Sequence, residues 1–228
     1  MNKPLLLSLF IAALIMFAFF YALSKAYYFK KHQVKYHFWQ MFPYELNYPR
    51  VFKDNFFGNI LFIFALGFII AFYAVFYSSD SLPKTMTSIT SEVGTILMSM
   101  LLLILLMMPL NYLRTHMVVS IFATTISAAF PILNLLFAYQ ILRNNQSVGE
   151  STVLPIISMV ISAILAIIML VLIFNPKATY KIYMEKKVDA NGQEVYERPK
   201  TIFLALSEWW AIFTYVLAPI SLLILIIA

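Results

Sequence analysis

Residues 56–78 read FFGNILFIFALGFIIAFYAVFYS and contain no charged side chain. An α-helix rises 1.5 Å per residue, so these 23 residues span about 34 Å, enough to cross the roughly 30 Å of hydrocarbon in a bilayer. Lipid offers the backbone no hydrogen-bond partner, whereas a helix satisfies its interior amides within the segment. The stretch therefore predicts a transmembrane helix.

Five other stretches share this length and character. The chain of 228 residues is 62% hydrophobic and only 11% charged, which is typical of a membrane protein and not of a soluble domain. We predict an all-α integral membrane protein, a single polytopic bundle with six spans at about 4–24, 56–78, 93–113, 117–141, 153–174 and 201–228. The first stretch could instead be a cleaved signal peptide, but its long apolar core and the basic residues after it favour a retained helix.

The basic residues are distributed unevenly between the loops. Of the 16 Lys and Arg residues, 13 lie in the loops after the first, third and fifth spans, and three lie elsewhere. Basic loops tend to stay cytoplasmic, so we predict a multi-pass protein of the cell membrane with both termini outside and the loops 25–55 and 175–200 in the cytoplasm. Abundant Phe, Ile, Tyr, Lys and Met with five Gly favour a bacterial origin.

The two large loops differ in composition. Loop 25–55 mixes aromatic and basic residues, as segments at the lipid headgroups do, and is expected to lie along the membrane surface. Loop 175–200 alternates polar and apolar residues on either side of the turn residues 189–192. It therefore predicts a short cytoplasmic β-hairpin between helices 5 and 6, which needs support from the membrane or a partner.

Several kinds of chemistry are excluded or not supported by the sequence. The chain has no cysteine, and its five glycines are too scattered for a nucleotide-binding loop. Its three histidines show no metal-ligand spacing, and no catalytic set is recognisable, so we predict no metal, cofactor or catalytic residue. The positive charges flank the spans, where they meet anionic lipid headgroups, so nucleic acid is not an expected partner.

Three polar residues are candidates for lining a substrate path. Glu208 lies near the start of the last span, while Asn134 and Asn111 lie in or beside the fourth and third spans. Intramembrane carboxylates are costly and often mark ion or substrate pathways. The aromatic residues after Glu208 favour an interfacial position for it over a buried one.

Prolines are expected to interrupt three helices, at Pro109, Pro131 and Pro219. Each removes a backbone donor, so carbonyls such as those of Ser127 and Tyr215 must find other partners or line a cavity. Kinked helices carrying amides and hydroxyls can build a polar site in the membrane.

Three functions remain open at the level of sequence. The favoured one is a non-catalytic membrane subunit of a transport or export complex, with another membrane subunit or a cytoplasmic ATPase as partner, or else a small transporter. A membrane-embedded enzyme that acts on lipids at the cytoplasmic interface is the second, and a structural or assembly factor is the third.

Overall fold

A computed structural model describes residues 3–46, 56–78, 86–107, 113–176, 185–188, 192–197 and 199–227. Within these residues the chain forms six α-helices and one two-stranded sheet. The helices are α1 Lys3–His32, α2 Phe56–Ser78, α3 Met86–Met107, α4 Leu113–Val148, α5 Val153–Ile173 and α6 Phe203–Ile227, and the strands are β1 Glu185–Val188 and β2 Glu194–Glu197.

All six helices are long and apolar enough to cross a bilayer. Their outward faces carry large exposed hydrophobic side chains, such as Ile15 on α1, Met100 on α3 and Val171 on α5. Water would penalise such surfaces, whereas lipid does not. The predicted fold class is thus confirmed, and the chain is a multi-pass membrane protein.

Two helices are longer than the apolar runs that predict them, because polar residues continue each helix past the lipid-facing part. α4 contains 36 residues and ends at Val148. The φ of 75° at the next residue, Gly149, lets the Glu150 N–H donate back to the Asn145 carbonyl at 2.9 Å. α1 contains 30 residues and ends at His32, and the next residue, Gln33, has a φ of 55°. The N–H of Gln33 donates to the Phe29 carbonyl at 2.8 Å and closes that helix.

The last helix, α6, lies at the centre of the bundle. In its apolar stretch 72% of residues are buried, against 22% in α1. It packs against α1, α4 and α5, and its Tyr215 is hydrogen-bonded to Tyr73 of α2 through the backbone carbonyl and to Ser99 of α3 through the side chain. Polar groups on α6 are therefore enclosed by the protein rather than by lipid.

One end of the bundle, here called the basic end, is where α1 ends and α6 begins. There residues 33–46, called the hook segment, fold back against the helices and include the 3₁₀ turn Pro43–Leu46. Phe42, Tyr44 and Leu46 are buried there, while Val34 and Trp39 stay exposed. The segment thus has one face on the bundle and some apolar side chains exposed on the other.

The hairpin predicted between the last two helices is present. β1 and β2 pair antiparallel, with Glu185 opposite Glu197 and Val188 opposite Glu194. Residues 189–191 of its predicted turn lie outside the described residues.

Candidate functional site

The Glu208 side chain is fully buried at the basic end of the bundle. It lies in the second turn of α6, and none of its surface is accessible. Because α6 is the central helix, the carboxyl group is enclosed by neighbouring helices although it lies only about 8 Å along the helix from Phe203. Its position near the end of a span and its complete burial therefore occur together.

Two side chains of α4 bind this carboxyl group. His116 Nε2 lies 2.9 Å from Glu208 Oε1, and the Ser120 hydroxyl donates to the same oxygen at 2.6 Å. His116 and Ser120 are four residues apart, which places them on one face of the helix. Both are fully buried, so the three side chains form a polar cluster shielded from lipid.

The second carboxyl oxygen is in a different situation. Within the described residues, Glu208 Oε2 is buried and has no hydrogen-bond partner. Leaving such an acceptor unsatisfied costs about 1–3 kcal/mol, and more for a charged group. A proton, a water molecule or a cation at this oxygen would remove that cost.

The arrangement differs from that of a serine hydrolase. In a Ser–His–acid triad the histidine lies between the serine and the acid, so that it can take the serine proton. Here Ser120 and His116 both bond to Glu208. The geometry is that of a carboxyl group held by two side chains.

The hook segment covers this cluster on the side of the basic end. The rings of Phe42 and Tyr44 meet the His116 ring edge-on, each at a centroid distance of 5.5 Å. Such edge-to-face contacts are favourable and exclude water. The hook segment therefore shields the His116 ring on this side.

Hydrogen bonds to α6 fix the hook segment in place. The indole N–H of Trp209, the residue next to Glu208, donates to the Met41 carbonyl at 2.9 Å and to the Tyr36 hydroxyl at 3.0 Å. The Tyr36 hydroxyl in turn donates to the Phe42 carbonyl at 2.7 Å. Burial, with a smaller contribution from the nearby Glu45 carboxylate, raises the pKa of Tyr36 well above its ordinary value, so its hydroxyl stays a donor.

The structure separates the candidate residues of the sequence analysis. Asn134 is buried on α4, where its Nδ2 donates to the Ser221 hydroxyl of α6 at 3.2 Å. Ser221 is 13 residues beyond Glu208, or about 20 Å along the helix. Asn111 and Pro109 lie outside the described residues.

Two of the three predicted prolines lie inside described helices, Pro131 in α4 and Pro219 in α6. Pro219 frees the carbonyl of Tyr215 one turn earlier, and the Tyr73 hydroxyl of α2 donates to it at 2.8 Å. The Tyr215 hydroxyl is itself bonded to Ser99 of α3. Tyr215, whose carbonyl Pro219 leaves free, is thus bonded to two other helices.

His116 and Ser120 were missed as site residues by the sequence analysis. The fourth span was expected to start at residue 117, which left His116 in a loop, whereas α4 begins at Leu113. The sequence did contain a signal: the fourth and sixth predicted spans start on the same side of the membrane, and each carries an ionisable residue near its start. The sequence does not show, however, that these two helices are neighbours, because that depends on how the helices pack.

Comparison with protein-family models, curated proteins and solved structures finds no match to this chain. The site itself is therefore the basis for a functional proposal.

Proposed function

We propose that the protein is a small transporter, or the membrane subunit of a transport or export complex, in which Glu208 and His116 bind an exchangeable proton. The observation that carries the proposal is a carboxyl group that is fully buried in a membrane bundle, bonded to His116 and Ser120 through one oxygen and without a partner at the other among the described residues. Ionisable groups inside membrane proteins mark proton and ion pathways by default.

The physical argument concerns net charge. With one proton shared between Glu208 and His116 the pair is neutral overall, and a neutral pair is the cheapest state to bury. Loss of that proton leaves a net negative charge in a low-dielectric site, which a cation or an incoming proton must compensate. Proton occupancy and the presence of another charged species are therefore coupled, which is what coupled transport requires.

A lipid-processing enzyme is less well supported by the same geometry. The bonds of the Ser120 hydroxyl run to the Glu208 carboxyl group and to the His116 backbone carbonyl. The rings of Phe42 and Tyr44 cover His116 on the side from which a headgroup would arrive.

A partner subunit would dock on the hairpin of β1 and β2. Isolated two-stranded hairpins are marginal in water, and Val188 is 68% exposed, so contact with a partner would stabilise it. Purification in mild detergent followed by mass spectrometry of bound proteins tests this. We expect a stoichiometric partner that is lost when residues 189–192 are replaced; unchanged activity and composition would argue against docking there.

The proton site is tested by infrared difference spectroscopy of the full chain in liposomes after a pH jump. A protonated carboxyl group gives a carbonyl stretch that a carboxylate lacks. We expect this band in the wild type and its loss in Glu208→Gln. Ser207→Ala is the matched control, because Ser207 is a buried neighbour whose hydroxyl bonds only to the Leu204 carbonyl in the described contacts.

Proton movement is measured on the same liposomes with an entrapped pH dye and an imposed gradient of pH, Na⁺ or K⁺. We expect gradient-driven proton flux in wild type and Ser207→Ala, and a loss of at least about tenfold in Glu208→Gln. A band and a flux that both survive Glu208→Gln would refute the proposal.

A further inference from the structure

Polar side chains follow one face of α4 through most of the membrane. They recur at intervals of three, four or seven residues, so they share one face of the helix, and all are buried: His116, Ser120, Thr124, Ser127 and Asn134. From the first to the last is 18 residues, or about 27 Å, nearly the thickness of the hydrocarbon layer. This row starts at the Glu208 cluster and leads away from the basic end.

The helices packed against this row contribute further small and polar groups. Ser127 Oγ donates to the Ala211 carbonyl of α6 at 3.4 Å, and Ser158 of α5 donates to the Ser221 carbonyl of α6 at 2.9 Å. These bonds bring α4, α5 and α6 together along one seam. The fully buried alanines Ala211 and Ala218 of α6 add no bulk to it.

Three buried oxygens in this seam have no hydrogen-bond partner among the described residues. They are Asn134 Oδ1 on α4, Ser162 Oγ on α5 and Thr214 Oγ1 on α6. Each side chain is at least 99% buried. An isolated buried polar atom of this kind costs about 1–3 kcal/mol, whereas buried water satisfies such atoms when it finds two to four polar partners.

We propose that the seam of α4, α5 and α6 binds a row of water molecules that connects Glu208 to the end of the bundle opposite the basic end. Neutral side chains suit water better than a bare metal cation, since among the described buried residues Glu208 is the only carboxylate. This inference rests on the proposed proton site, because the row gives protons a route to it from the side opposite the hook segment.

The absence of cysteine from the sequence allows a direct test by single-cysteine labelling. The full-length variants Ser162→Cys and Thr214→Cys are reconstituted in liposomes and treated with methanethiosulfonate ethyltrimethylammonium from either side, with modification read by mass. Only a thiolate reacts, and a thiol ionises poorly in apolar surroundings. We expect modification at least about tenfold faster than for a buried apolar control, and faster from the side opposite the basic end.

Ala65→Cys is that control. Ala65 is a small, fully buried residue of α2 within the hydrophobic core, at a comparable depth in the bundle. Ile164→Cys on the exposed face of α5 reports reaction from lipid. Reaction of Ser162→Cys and Thr214→Cys no faster than these two controls would overturn the inference.

Removing the hydroxyls gives a second, independent measurement. If the seam is dry, Thr214→Val and Ser162→Ala remove an unsatisfied group and raise the melting temperature. If it holds water, the melting temperature is unchanged or falls, as we expect. An unreactive seam together with a Glu208-dependent infrared band would refute the water row but not the proton site. A reactive seam without that band would refute the proton site but not the presence of water in the seam.

Discussion

Replacing His116 with leucine should destabilise the protein more than replacing Glu208 with glutamine. His116→Leu leaves a buried carboxyl group with one donor, Ser120 at 2.6 Å, and removing one partner of a buried charge pair costs about 3–5 kcal/mol. Glu208→Gln keeps an oxygen in place for both donors and removes the charge. It should cost about 1 kcal/mol, because two charge-assisted hydrogen bonds become neutral ones.

The double variant isolates the interaction. With no charge left to compensate, His116→Leu with Glu208→Gln should cost about 2 kcal/mol, well under the sum of the single changes, which gives a coupling energy of about 2–4 kcal/mol. Loss of the ring contacts from His116 to Phe42 and Tyr44 occurs with or without Glu208 and cancels in the cycle.

The free energy of unfolding is measurable by titration with sodium dodecyl sulfate in mixed micelles, followed by tryptophan fluorescence. A control cycle pairs Glu208→Gln with Asn134→Leu. The Asn134 side chain bonds to Ser221, which lies about 20 Å beyond Glu208 along α6. The costs of these two changes should therefore add within about 0.5 kcal/mol. If the costs of His116→Leu and Glu208→Gln also add within about 0.5 kcal/mol, His116 and Glu208 are not energetically coupled and the reasoning is refuted.

Three further predictions concern the contacts of α6. Tyr73→Phe should cost about 1–3 kcal/mol, because it leaves the Tyr215 carbonyl without the donor bonded at 2.8 Å; the cost should shrink in a Pro219→Ala background, where the helix supplies its own N–H. Burial raises the pKa of Tyr36, so the folded state keeps a proton that the unfolded state releases above about pH 10. Tyr36 should therefore contribute a fall in stability of up to about 1.4 kcal/mol per pH unit above pH 10, and this component should vanish in Tyr36→Phe. Trp209→Phe removes the donor to Met41 and Tyr36 and should speed amide exchange in the hook segment while exchange in α2 stays the same.

The six helices were predictable because a span in lipid is decided by a local property, the length of an apolar run. α2 runs from Phe56 to Ser78, as its sequence predicts. The hairpin was predictable from its turn residues and alternation. The ends of α1 and α4 were not, because polar residues beyond the hydrocarbon remain helical until a residue with positive φ ends the helix, and Gln33 is not a typical terminator.

Part of the site could be predicted, and the missing part is tertiary. Glu208 was identifiable as a costly residue in a span, but its partners are 88 and 92 residues away in the chain. Hydropathy does not tell which helix is central, and burial of Glu208 follows from the central position of α6. From the sequence, the aromatic residues after Glu208 favoured an interfacial position over a buried one, because the central position of α6 was not visible there.

The central position of α6 also affects how the protein is made. Ribosomes deliver helices in order, so α1 to α5 enter the membrane before the helix that most of them enclose. Until α6 is inserted, the polar face of α4 from His116 to Asn134 lacks its partners Glu208 and Ser221. The hydrocarbon of the bilayer offers these side chains no hydrogen-bond partner. The nascent five-helix intermediate is therefore expected to need shelter at the insertion machinery, and a chain truncated before Phe203 should be recognised and degraded by membrane proteases.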